Sequence, residues 1–268
     1  MKISYTTLAC PDWSWERILD ETVRFGFDGI EIRGLERELD LTKMEPFFPE
    51  NIEGTMKQLR EKSLEICCLD TSCRFHTAAD IEKYLAEGKA AIDLAQKLNC
   101  KYIRVFGNEI PDKSRKAETI KQIASSLDEL GNYTKGTGVT VLIETHGDFS
   151  TGDAMLELLQ QITSKNVDVL WDVTNAYVEF DEPIDVTFNK LSSRIKHSHI
   201  KDAKGRVPDA KLCMIGKGDL SVKQMVDLLK SIGFDGWLSL EWEKMWHPEL
   251  EEPEIVLGTY IKHIKEYL

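Results

Sequence analysis

The chain alternates short apolar runs with longer stretches of helical periodicity. The first run is Ile3-Ser4-Tyr5-Thr6-Thr7-Leu8, and the stretch after it carries apolar Ile18, Leu19, Val23 and Phe25 before Gly26 closes it. Gly29-Ile30-Glu31-Ile32-Arg33, a helical stretch over residues 52–62 and Leu64-Glu65-Ile66-Cys67-Cys68-Leu69 come next. Ile81, Tyr84, Leu85, Gly88, Ile92, Ala95 and Leu98 then share one face, the spacing of a helix lying on a sheet. The pattern repeats through a strand at residues 102–106, a helix carrying Ile120, Ile123, Leu127 and Leu130, a strand at 139–144 and a helix from Asp153. Strands predicted at 167–173, 194–200 and 237–242 complete the series, each followed by helix, the last over 253–268.

Such alternation implies a parallel sheet. Eight strand–helix units in 268 residues fit a closed α/β barrel, (β/α)₈, occupying residues 1–268 as one domain. No G-x-G-x-x-G follows the first strand, which removes the main signature of an open dinucleotide-binding sheet.

Charge narrows the partners. Forty-six acidic residues against 34 basic ones give a formal charge of −12, which disfavours nucleic acid and an anionic membrane surface. The six cysteines form no C-x-x-C pair, and Cys67-Cys68 lies inside an apolar run, so they read as buried small hydrophobes. The N-terminal MKISYTTLACPDWSW lacks the apolar core of a signal peptide, and no run reaches the ~20 apolar residues of a membrane span. A cytoplasmic protein with reduced thiols is expected.

Barrels of this kind carry their working groups at the C-terminal ends of the strands. Four successive predicted strands end in a side chain able to ligate a metal: Glu144 in Leu142-Ile143-Glu144-Thr145-His146, Asp172 in Trp171-Asp172-Val173-Thr174-Asn175, His199 in His197-Ser198-His199-Ile200-Lys201, and Glu241 in Leu240-Glu241-Trp242-Glu243. Neighbouring strands lie about 4.8 Å apart, so four such ends can converge on one ion. Three carboxylates and one imidazole favour Mn²⁺, with Mg²⁺, Co²⁺ and Zn²⁺ as alternatives.

The runs LIETHG, WDVTN, HIKD and LSLEWE resemble the xylose-isomerase-like TIM-barrel superfamily of sugar-phosphate isomerases and epimerases, and the similarity runs from the first strand through GFDGIEIRG to the Glu-Trp-Glu-Lys segment. Its members include ketose 3-epimerases, inosose isomerases and dehydratases, hydroxypyruvate isomerases and, more distantly, endonuclease IV. The resemblance implies that Glu144, Asp172, His199 and Glu241 hold a single metal, that the two glutamates also serve as paired acid and base, and that Arg206 lies near the substrate oxygens. It also implies a small sugar or polyol substrate and allows a homo-oligomer, dimers and tetramers being common among such proteins, although the sequence does not give the oligomeric state. One departure matters: many epimerases carry D-x-x-H on the sixth strand, where this chain has Asp172-Val173-Thr174-Asn175. Asn175 hydrogen-bonds a hydroxyl but cannot carry a proton.

The expected chemistry is proton transfer next to a carbonyl, through an enediolate, giving isomerisation or epimerisation. Lys201 is expected to stabilise the developing oxyanion, with a salt bridge to Asp202 or to a ligand carboxylate as the plainer alternative. His146 and Asn175 are expected at the substrate, His197 below the metal, and Trp13 and Phe106, with Trp15, Trp242 and Trp246, on an apolar wall. Gly216-Lys217-Gly218-Asp219 reads as a tight turn capped by Asp219 before a helix, or as a phosphate cradle. The rival functions are a dehydratase of an inosose or similar cyclic polyol ketone, a metal-dependent phosphodiesterase and a non-catalytic sugar-binding barrel.

Overall fold

Strand and helix alternate as the hydrophobic pattern predicts, and the computed structural model, which describes residues 1–268, closes them into a barrel. In chain order the elements are β1 (Lys2–Tyr5), α1 (Trp15–Phe25), β2 (Gly29–Ile32), α2 (Ile52–Glu61), β3 (Glu65–Arg74), α3 (Ile81–Lys97), β4 (Tyr102–Phe106), α4 (Lys116–Tyr133), β5 (Thr140–Glu144) and α5 (Gly152–Leu159). They continue as β6 (Val167–Asp172), α6 (Val173–Phe180), α7 (Ile184–Leu191), β7 (Ile195–Ile200), β8 (Asp202–Lys204), β9 (Lys211–Cys213), α8 (Val222–Ser231), β10 (Trp237–Leu240) and α9 (Pro253–Tyr267). Eight strands form one parallel sheet in the order β1-β10-β7-β6-β5-β4-β3-β2, while β8 and β9 pair as a separate antiparallel hairpin.

The seam between β1 and β2 carries a single parallel bridge, Thr6 to Glu31. Side chains reinforce it: Asp28 accepts the Ile3 N–H (2.8 Å), and the Thr7 hydroxyl oxygen accepts the N–H groups of Arg33 (3.0 Å) and Gly34 (3.1 Å). The outer faces of the strands and the inner faces of the helices make a core of 68 buried residues. Strands buried on both faces account for unbroken apolar runs such as Val141-Leu142-Ile143. Helix α1 shows how local signals set boundaries: Ser14 accepts the Arg17 N–H at its start, and Gly26 adopts φ +80° at its end, a conformation open to glycine.

Several boundaries differ from expectation. The first strand stops at Tyr5, because residues 7–9 coil into a 3₁₀ turn that swings the chain away from the barrel axis. The third runs on to Arg74, and the last ends at Leu240, leaving Glu241 just beyond it. Helix α6 starts directly on Asp172, which caps it through Oδ1 and the Thr174 N–H (2.8 Å). The β8–β9 hairpin has no counterpart in the periodicity.

The segment after β7 is organised by one carboxylate. Asp202 accepts the backbone N–H groups of Ala203, Gly216 and Gly218 (each 2.9 Å) and of Leu220 (3.3 Å). Gly218 is required there, since a Cβ would fall 1.9 Å from Asp202 Oδ1. The glycine turn therefore cradles an anion, but the anion is the protein's own. Asp219 does not cap the following helix; it accepts the Gly205 N–H (2.8 Å), and Ser221 caps α8 instead. Replacing Asp202 by Ala strands four donors at once. We expect it to lower the unfolding free energy in urea by about 1–3 kcal/mol, with Asp202→Asn falling between variant and parent. An unchanged midpoint for Asp202→Ala would show that the turn holds itself.

Candidate metal centre and substrate cavity

Side chains alternate along a strand, so in a closed barrel every second residue enters the lumen. On β7 and the residue after it these are His197, His199 and Lys201, all buried. Opposite them, β2 contributes Glu31. Although β2 and β7 are not neighbours in the sheet, the Glu31 carboxylate reaches His197 Nε2 at 2.8 Å and His199 Nε2 at 3.0 Å across the lumen. With Nε2 so engaged, His199 turns Nδ1 toward the mouth.

There Nδ1 meets three carboxylates, Glu241 Oε2 at 3.3 Å and Glu144 Oε1 and Asp172 Oδ2 each at 3.9 Å. Glu144, Asp172, His199 and Glu241 each offer a ligand atom, and these atoms lie within 4.8 Å of one another, close enough to hold one metal ion. Glu144 Oε2 and Asp172 Oδ2 are buried and meet only cations, Arg104 and Lys201, while His199 Nδ1 is buried among the carboxylates. Asp172 is held rigidly by its capping role and by Thr145, whose hydroxyl accepts the Asp172 N–H and donates to the Asp172 carbonyl (both 2.8 Å).

Cations enter from two sides. Lys201 Nζ lies 2.6 Å from Glu241 Oε2, 2.7 Å from Asp172 Oδ2 and 3.0 Å from Glu243 Oε1, so it pairs with ligand carboxylates and not with Asp202. Arg104, inward on β4, bridges Asp70 (3.0 Å) on β3 and Glu144 (3.1 Å) on β5. Five carboxylates are buried in the lumen (Glu31, Asp70, Glu144, Asp172 and Glu241) against three permanent cations (Arg33, Arg104 and Lys201). Even with His199 protonated, a deficit of positive charge remains.

The titration behaviour reflects that deficit. Burial pushes the Glu144 carboxyl up to about 8, against the pull of Arg104 and with the help of Glu241. Burial likewise raises Asp70 to about 6 and moves Asp172 upward. Burial opposes ionisation of Glu241 as well, yet His199 and Lys201 outweigh it and hold that carboxyl well below its ordinary range. Burial works against a charged His199, but Glu241 and Glu31 raise it well above the usual imidazole range. Protons thus stand in for missing positive charge.

A cavity of about 380 Å³ opens above the cluster, lined by Glu144, Glu241, Lys201, His146, Asn175 and Phe106 among others. His146 leans on the Phe106 ring (4.8 Å between centroids), and burial lowers it to about 4, so its ring is neutral. Asn175 donates to the Thr145 carbonyl (3.0 Å). A second cavity of about 680 Å³ shares Asn175, Lys201 and Glu243 with the first and runs outward between α6, β9 and residues 247–251.

Two expected site residues are not brought to this cavity. Arg206 sits on the exposed hairpin, its guanidinium 3.5 Å from the Tyr177 ring centroid and paired with Asp181 at 3.0 Å, because the loop carrying it folds outward over α6. Trp13 is buried in the core beneath Arg17, so it forms no pocket wall. Trp15 and Trp242 are also core, their indole N–H groups bonded to Gln58 and to the Glu251 carbonyl, whereas Trp246 does line the cavity. Sequence reasoning missed Glu31, Asp70, Arg33 and Arg104. The available signal was a charge at alternate positions in otherwise apolar strands: Ile-Glu-Ile-Arg, Leu-Asp-Thr, Ile-Arg-Val.

Comparison with known proteins places this geometry. The chain is similar to a fructoselysine 3-epimerase of Shigella flexneri, 22% identical over 185 residues, which are 67% of this chain. The chain spans 65% of that relative's length, under two thirds. The fold is similar to that of a probable 3-DHS dehydratase involved in petrobactin synthesis from Bacillus anthracis, with TM-score 0.80 and 20% identity over 99% of each chain. It is also similar to the IOLI protein with a binding zinc atom, at TM-score 0.81 and 18% identity, covering 100% of this chain and 98% of that one. A family model described as xylose isomerase-like TIM barrel matches residues 19–266, nearly the whole barrel with all four residues of the cluster, and the chain belongs to that family.

Proposed function

We propose that this protein is a divalent-metal-dependent isomerase or epimerase of a small sugar or polyol ketone, with Mn²⁺ as its ion. One observation carries the reading: Glu144, Asp172, His199 and Glu241 converge at the floor of a cavity, their buried ligand atoms within 4.8 Å of one another amid an excess of negative charge. Unpaired buried carboxylates are strongly unfavourable without a cation. Three oxygen donors and one nitrogen suit Mn²⁺, with Mg²⁺, Co²⁺ or Zn²⁺ accommodated by the same set. The zinc in a solved relative of the same fold supports a metal here without deciding which.

Glu31 completes the arrangement. By accepting from His199 Nε2 it holds a proton there, so that an ion displacing the Nδ1 proton would meet a lone pair, the role a carboxylate behind a ligating histidine commonly plays. When bound, the ion supplies positive charge that polarises a carbonyl and stabilises a negative oxygen next to it.

The remaining work falls to the protein's own groups. Glu144 on β5 and Glu241 after β10 approach the cavity floor from strands separated by β6 and β7, so they face a substrate from two sides. One takes the proton from the carbon next to the carbonyl and the other returns it, which yields isomerisation or epimerisation. Lys201 holds negative charge near Glu241, and neutral His146 and Asn175 offer hydrogen bonds to hydroxyls. The same proton abstraction becomes a dehydration when a β-hydroxyl leaves before reprotonation. That second reading is supported by the dehydratase among the structures of like fold.

Two outcomes follow. Elemental analysis of the purified protein should find about one divalent ion per chain, and Glu144→Gln/Glu241→Gln should lose it. Incubated with a ketose and inosose panel in D₂O, the parent should wash deuterium into the carbon next to the carbonyl. Absence of an ion at any reasonable Mn²⁺, Co²⁺ or Zn²⁺ concentration removes the mechanism, and water loss with a new ultraviolet enone band selects the dehydratase. Separately, Glu31→Gln should weaken Mn²⁺ binding by roughly 10–100-fold in a competition titration while the fold persists. Parent-like affinity would show that His199 needs no such anchor.

A further inference from the structure

Arginines in this acidic chain nearly all have a carboxylate within salt-bridge distance. Of the ten, seven are so paired. The other three are Arg33, Arg60 and Arg74; Arg60 is exposed on α2, but Arg33 and Arg74 both line the cavity above the cluster. With a net charge of −12, carboxylates are abundant, yet none comes within salt-bridge distance of Arg33 or Arg74.

The corner is built. Arg33 follows β2 directly and is 8% exposed. Its Nη2 donates to Ser72 Oγ at 3.0 Å, whereas Nη1 is buried and has no partner. Arg74 ends β3 and donates through Nε to the Tyr84 hydroxyl at 3.0 Å. Ser72, Tyr84 and Asn108 line the same cavity. Glu87 lies close by, but its carboxylate accepts the Ser72 backbone N–H (2.6 Å). Burial, and after it the neighbouring Arg104, lowers Arg33 to about 10 against the pull of Asp70, Glu87 and Glu241, so the guanidinium is charged at neutral pH without a direct ion pair. A buried guanidinium with a free donor is costly unless something negative arrives. Arg104 cannot relieve it, being committed to Asp70 and Glu144.

The metal cluster draws on β5, β6, β7 and β10, while this corner draws on β2 and β3, on the opposite side of the mouth. We propose that Arg33, Ser72 and Arg74 form an oxyanion subsite, so that the substrate carries a carboxylate or a phosphate at the end remote from the oxygens that face Glu144, Asp172, His199 and Glu241. The inference rests on the reading of the cavity as a substrate site beside a metal centre. A planar fork of donors fits either anion through paired hydrogen bonds.

The test is isothermal titration of the Mn²⁺-loaded protein with D-fructose, D-fructose 6-phosphate and D-fructuronate, after confirming its ion content. At least one anionic ketose should bind tenfold or more tightly than D-fructose, and which one does separates phosphate from carboxylate. Arg33→Met should cost the preferred anionic ketose tenfold or more and D-fructose far less, so that the preference is lost; Arg33→Lys should keep part of it. Arg74→Met, at an exposed side chain, should weaken the preference severalfold and carries the test should Arg33→Met fail to fold. Inorganic phosphate titrated into metal-free protein should still bind and should lose binding in the same variants, which separates this subsite from the metal. Equal affinity for all three ketoses, a preference that survives Arg33→Met, an equal loss for all three in that variant, or no saturable binding of any anion would overturn the proposal. Absence of the ion in the parent bears on the metal reading alone.

Discussion

The structure is organised around negative charge buried where water does not reach. Five carboxylates project into a closed barrel, and each neighbouring feature can be traced to the need to neutralise them. Glu31 is satisfied by two imidazoles from the opposite wall, Asp70 by Arg104, and Glu144 by the other edge of the same guanidinium. Lys201 does the same for Asp172, Glu241 and Glu243 together. Such a lattice of charge fixes rotamers that an apolar interior would leave free, and it leaves one gap, at the point where four ligand atoms face one another.

Much of this was legible in the chain. The alternation of apolar runs and helical stretches predicts the eight parallel strands, because burial on both faces demands uninterrupted apolar residues and the covering helices demand a stripe. The four-residue cluster was legible for a related reason: a carboxylate or imidazole ending an apolar strand must emerge at the mouth. Strand ends were less legible. Whether residues 6–8 continue the first strand depends on the turn at Thr7, whose hydroxyl is engaged by the backbone just after β2, a long-range bond that periodicity cannot report.

The hidden half of the site follows the same logic in reverse. Glu31, Asp70 and Arg104 lie within strands that read as apolar, so each looks like an isolated rim charge until the barrel closes and brings β2, β3 and β4 to face β5 and β7. Arg206 failed for a different reason. Its position in the loop after β7 depends on how the hairpin folds, and Tyr177 and Asp181 on and beside α6 capture it from outside. Loop direction is set by partners distant in sequence, and one side chain's spacing from a strand does not encode it.

The weak seam between β1 and β2 gains meaning from Glu31, the residue that forms its only ladder bridge. The backbone of Glu31 stitches β2 to the end of β1 while its carboxylate grips β7 from across the lumen. One residue thus couples mechanical closure of the barrel to the electrostatics of its interior. Opening at this seam would pull the anchor from His199, and a filled centre would resist that opening, so occupancy and the breathing of the weakest joint form one equilibrium.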